Sequence, residues 1–209
     1  MLNMPISKKD AKIQADSIIK NVLKDHQFLS EVLKRVKAKE DTIRYPNAIA
    51  LEFLSEKYSE IVYPEWDFLL DLLRSKNSYH KSIAISTIAN LITADDKKKF
   101  NMIFNEFFNL LNDKSVMVAR KVAIYSGRIA KAKPLLRPKI TKILLQIDQT
   151  HHNPNRKDLI KGDIIESFSE YFIDIKEKEK ILNFAKAQLK STSPSTVKKA
   201  NDFLEKWEQ

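Results

Sequence analysis

The chain has no cysteine, only two glycines among 209 residues, and no apolar run near the length that crosses a bilayer. Without cysteine, disulfides and thiolate metal sites are excluded, which suits a reducing compartment and leads us to expect a cytoplasmic protein. Two glycines are too few for a phosphate-cradling loop, and no Walker loop, dinucleotide fingerprint or nucleophile elbow occurs. The opening stretch MLNMPISKKDAKIQ lacks the apolar core of a secretory leader, and no contact with a membrane is expected. Scarce glycine and seven prolines, beside abundant Lys, Leu, Ile, Ala and Glu, argue for helices joined by short breaks and against a sheet protein.

What is present is helical periodicity. Phe28, Leu29, Val32, Leu33 and Val36 recur at i, i+1, i+4, i+5 and i+8, and similar runs follow along the chain. The pattern predicts a single domain, 1–209, with an N-terminal capping helix over about 7–25 and helix pairs over about 27–58, 64–92, 97–131, 138–172 and 177–207. Pro46 is expected in the first turn of a helix after a break at Asp41 to Tyr45, and Pro194 at the first position of a helix capped by Ser193. Trp66 reads as core, and Trp207 as a cover for the end of the array.

Aligned on the second helix of each pair, Ala50, Ala84, Ala123, Ile164 and Ala200 form an anchor column, followed four positions on by Leu54, Ile88, Gly127, Phe168 and Leu204. The spacings, 34, 39, 41 and 36 residues, are those of stacked helix pairs that bury their apolar faces on one another. Three positions before the anchor stand Asn47, Lys81, Arg120, Lys161 and Val197. With Asp113, Val118, Arg120 and Ala123, the third pair resembles the HEAT-repeat family, whose second helix opens with an Asp, a Val-Arg pair and an Ala. The resemblance spans about residues 27–207. It implies an all-α fold, a right-handed α-α superhelix of about five helix pairs, with the second helices on its concave side.

Charge is concentrated in one place. Between Lys114 and Ile147 there is no Asp or Glu and there are nine Lys or Arg residues, whereas the whole chain is only +10. On a helical wheel Arg120, Lys121, Arg128 and Lys131 fall on one flank, between about 40° and 140° from Val116, with Tyr125 outside it near 180°. Lys81 and Lys161 occupy the corresponding column. These six cations, Lys81, Arg120, Lys121, Arg128, Lys131 and Lys161, are the candidate binding residues, an electrostatic footprint for an acidic surface or phosphates. A plain solvated helix flank accounts for them somewhat better, and Arg120 has its own structural reading, pairing with an acid such as Asp113.

Other chemistry is thin. His151 and His152 are adjacent beside Asn153-Pro154, not at the i, i+4 spacing of a helical zinc pair, and are read as loop residues with no metal. Asp163 and Glu166 lie one turn apart and read as an exposed flank. A weaker resemblance links Ala50-Leu51-Glu52-Phe53-Leu54, Lys57-Tyr58 and Arg120-Lys121-Val122-Ala123 to helical-repeat alkylpurine DNA glycosylases. Those enzymes need an aspartate near the start of a second helix, where this chain reads Asn77-Ser78-Tyr79-His80-Lys81-Ser82-Ile83, without a carboxylate. The expectation is a non-enzymatic scaffold with no cofactor, its leading partner a protein, and nucleic acid the alternative.

Overall fold

The computed structural model describes residues 6–208, and their regular structure is helical throughout. It is organised as two compact units, Met1–Lys97 and Lys98–Gln209.

The first unit contains α1 (Lys8–Lys24), α2 (Phe28–Arg35), α3 (Asp41–Lys57), the single turn α4 (Ser59–Val62), α5 (Trp66–Leu73) and α6 (Ser78–Asn90). Ser7 caps α1 by accepting from the Asp10 amide at 3.1 Å, and Ala11, Ala15, Ile19 and Val22 then bury one stripe of the helix. α3 begins five residues earlier than the sequence predicts: Asp41 opens the helix and Pro46 lies inside it, buried. Packing outweighs the lost backbone donor there, and Asn47 reinforces the turn by donating its side-chain amide to the Ile43 carbonyl at 2.7 Å. Asn90 of α6 reaches α3, donating to the Glu52 carbonyl (3.1 Å) and the Ser55 hydroxyl (2.9 Å). At the other end Arg44 of α3 lies over the Tyr79 ring of α6 at 4.3 Å. Contacts of like sequence offset at both ends mean that α3 and α6 run parallel, side by side. Trp66 is 2% exposed, a core residue as expected, beside the Tyr63 ring. The Tyr63 hydroxyl donates to buried Asp95 at 2.9 Å, and its pKa is pushed up to about 12, by desolvation first and then by that carboxylate.

The second unit contains α7 (Lys99–Asn109), α8 (Val116–Ala132), α9 (Arg137–Leu145), α10 (Pro154–Ser169), α11 (Lys178–Ala187) and α12 (Pro194–Trp207), with short 3-10 turns between them. Asn153 and Ser193 cap α10 and α12, accepting from the Arg156 and Thr196 amides, each before a proline at the first helical position. α10 is packed between α8 and α12. Both glycines of the chain serve this packing. A Cβ on Gly127 of α8 would meet the Ser167 carbonyl of α10 at 2.5 Å, and one on Gly162 of α10 would meet the Thr196 hydroxyl of α12 at 2.6 Å. Missing side chains thus let the three backbones approach one another. On the other side of the row, Tyr171 bonds Thr141 of α9 at 3.0 Å, Phe168 meets Phe184 of α11 edge to face, and α7 supplies the cluster Phe100, Phe104, Phe107 and Phe108.

The anchor column is buried at every position: Ala50, Ala84, Ala123, Ile164 and Ala200 are each 0% exposed. Leu54, Ile88, Gly127, Phe168 and Leu204 are buried with them.

Candidate functional site

α8, α10 and α12 run parallel, so residues at like positions along the helices come level across the row. Arg120 of α8 donates from Nε to Asp163 Oδ2 of α10 at 2.6 Å and from Nη2 to Oδ1 at 3.3 Å. Lys199 of α12 donates to Asp163 Oδ1 at 2.9 Å and pairs with Glu166 at 2.7 Å. Asp163 itself is 1% exposed, which inverts its reading as part of a solvated flank. Its partners stand 43 and 36 residues away in sequence, beyond any one-turn pairing rule. Burial of a carboxylate is tolerable only with such compensation, here from both neighbouring helices.

Arg120 therefore has its structural partner, and it is Asp163 instead of Asp113. Asp113 accepts from the Ser115 amide at 2.8 Å, at the entrance of α8. The hydrogen bond to Asp163 holds the Arg120 pKa above its usual value against the opposing effect of burial. At Lys199, burial pulls the pKa down, yet Glu166 and Asp163 together bring it to rest above the usual lysine value.

The remaining sequence candidates separate. Lys121 and Arg128 both approach the Tyr125 ring, at 5.1 and 5.8 Å from its centre. The wheel put Tyr125 outside the stripe, but long cationic side chains at i−4 and i+3 reach along the helix surface and enclose it. Lys131 is exposed one turn further on, and with Arg128 it faces Glu170 of α10. The Glu170 carboxyl is pushed up, by desolvation first and by Glu166 in addition, with Arg128 and Lys131 pulling the other way. Lys161 does not join this group, because its ammonium pairs with Asp148 at 2.8 Å. Lys81 is half-buried on α6, in the first unit. The α9 end of the basic stretch is also committed to the fold. Arg137 donates to the Ala130 and Asp174 carbonyls, and Lys139 lies over Phe104 at 4.1 Å.

Sequence reasoning missed Lys199, Tyr125 and the buried Asp163 as members of this face. Periodicity could have flagged Lys199, which stands immediately before the anchor Ala200 as Asp163 does before Ile164. A cavity of about 350 Å³ opens beside it between α10 and α12, bordered by Glu166, Lys199, Asp202 and Lys206, so its charge is balanced. His151 and His152 lie outside regular structure, as read, but they are unlike. His151 bonds Asn112, while His152 is 4% exposed and donates to the Leu111 carbonyl at 3.0 Å. Among the described residues no group of three or more His, Asp or Glu side chains is placed to hold a metal ion.

No family model matches the chain, and no curated protein is similar to it. Among solved structures it is similar to the crystal structure of an engineered protein, with a TM-score of 0.52 and 17% identity over 96% of this chain and 90% of that one. A likeness at that identity speaks to the helical fold alone.

Proposed function

We propose that the chain is a HEAT-like helical-repeat scaffold, its helix pairs wound as a right-handed α-α superhelix, that binds an acidic partner and performs no catalysis. A protein in the cytoplasm is the partner this reading favours. The observation that carries it is the division of the basic stretch. Arg120 is bonded to Asp163 in locking α8 to α10, whereas Lys121 and Arg128 bracket a half-buried Tyr125 and Lys131 extends the same surface into solvent. Cations and a ring fixed on one rigid helix are pre-organised for carboxylates or phosphates.

A second reading is nucleic-acid binding of the kind found in helical-repeat alkylpurine glycosylases, and Tyr125 between two cations is what favours it, since such a ring can stack on a base. Glycosidic cleavage has no evident acid at residues 77–83, so binding without chemistry is the form this reading takes. Replacing Lys121, Arg128 and Lys131 together by Glu tests both readings. Loss of capture of acidic protein from extract treated with nuclease supports the first. Loss confined to untreated extract and to duplex or single-stranded DNA supports the second. Equal capture of partners by parent and variant in every arm removes the face from consideration.

A further inference from the structure

The C-terminal end of the α8–α10 row carries a feature that the proposed binding face does not use. The 3-10 turn Pro134–Leu136 follows α8, and the turn Phe172–Asp174 follows α10. Because the two helices are parallel, both turns leave the same end of the row. Arg137, only 12% exposed at its side chain, ties them together by donating to the Asp174 carbonyl at 3.2 Å while also holding the Ala130 carbonyl at 3.2 Å. From these turns two aliphatic side chains project outward: Leu135 is 97% exposed and Ile173 67%. Pro134 and Pro138 bracket the first turn, so Leu135 is held out by stiff backbone.

The surroundings are basic. Residues 131–139 and 170–178 carry six cations against three acids, with Lys131, Lys176 and Lys178 exposed near the two prongs. A protruding aliphatic side chain lies in no groove of its own. It needs a partner that yields around it, and cations about its base need that partner to be negative at the surface.

We propose that this end of the second unit is a peripheral docking surface for an anionic lipid bilayer, with Leu135 and Ile173 entering the headgroup–acyl boundary and the lysines meeting anionic headgroups. Weak apolar insertion and weak charge attraction add to a usable affinity, where either alone is marginal. Contact of this kind lays the protein on the membrane without crossing it, and among the described residues no helix is long and apolar enough to cross.

The test is sedimentation of the full chain with vesicles of phosphatidylcholine alone and with about one-third phosphatidylserine, at low and physiological salt. Parent protein is expected to bind the anionic vesicles and not the neutral ones. The double variant Leu135→Ser, Ile173→Ser should bind about tenfold more weakly with an unchanged Tm, since both side chains already face water. Leu135→Trp should give a fluorescence blue shift with anionic vesicles and none with soluble poly-glutamate. The proposal is overturned by absence of binding, by equal binding of the Ser variant, which would reduce the contact to charge alone, or by an equal blue shift with poly-glutamate, which would assign the prongs to an acidic protein. Lys121→Glu with Arg128→Glu should leave vesicle binding intact, separating this surface from the α8 face.

Discussion

Replacing Asp163 by asparagine keeps the shape of the side chain, removes its charge and turns one acceptor into a donor. The parent carboxylate is 1% exposed and accepts from Arg120 at 2.6 and 3.3 Å and from Lys199 at 2.9 Å. Charge-assisted bonds at a buried acceptor contribute about 1.5–3 kcal/mol each. The Arg120 and Lys199 side chains are 40% and 29% exposed, so water takes back part of what each loses. Discounting for that solvation, the net cost is roughly 2–3 kcal/mol, below the figure for a fully buried pair. In a chain of this size that lowers Tm by roughly 5–10 °C. Thermal unfolding followed by circular dichroism reads it. Arg120→Gln alone should be at least as costly, because it strands a buried carboxylate on Lys199. Combined with Asp163→Asn it should cost less than the sum of the singles by about 1 kcal/mol or more. An Asp163→Asn Tm within about 2 °C of the parent, or strict additivity of the two changes, would refute the structural role assigned to this carboxylate.

Gly127→Ala should destabilise by about 1–3 kcal/mol despite the helix propensity it gains, because its Cβ meets the backbone carbonyl of Ser167 at 2.5 Å and the helices must part. Gly162→Ala should cost less, since the first obstacle is the Thr196 hydroxyl, and denaturant titration of the two ranks them. The His152 pKa is lowered, by desolvation first and by His151, Arg156 and Lys157, against the Leu111 hydrogen bond. The unfolded chain therefore binds the proton more readily than the folded one. Stability rises with pH through this window and is lost as pH falls below about 6.5 toward the lowered folded value. His152→Gln, which can keep the donor to Leu111, should flatten that loss in Tm measured between about pH 7 and 5.

The helices were legible because burial follows a local period, and the residues read as anchors from Ala50 to Ala200 are each buried. The start of α3 was not, since a proline at position 46 signals a first turn only when nothing downstream rewards an earlier start. The candidate face was half legible. The absence of acids from Lys114 to Ile147 located it, but what separates Arg120 from Lys121 is a partner 43 residues away. Hydropathy assigns the Asp163 carboxylate to water, and only a neighbouring helix supplying a cation on each side reverses that. Lys161 illustrates the converse, since its place in the repeat column suggested the face, and the nearby Asp148 drew it elsewhere. Tyr125 was misplaced because a wheel records where side chains leave the helix, not how far lysine and arginine reach along it.

In the proposed function the cations of one helix divide, with Arg120 bonded to the buried Asp163 and Lys121, Arg128 and Lys131 on the face proposed to meet a polyanion. The most direct measurement is the salt dependence of binding to a duplex DNA probe, for the parent and for the variant with those three residues changed to Gln. Each cation that meets a phosphate contributes about 0.9 to the slope of log K against log salt. The predicted result is a slope reduced by about 2–3 with Tm unchanged. A variant that stays folded and keeps the parent slope would contradict it.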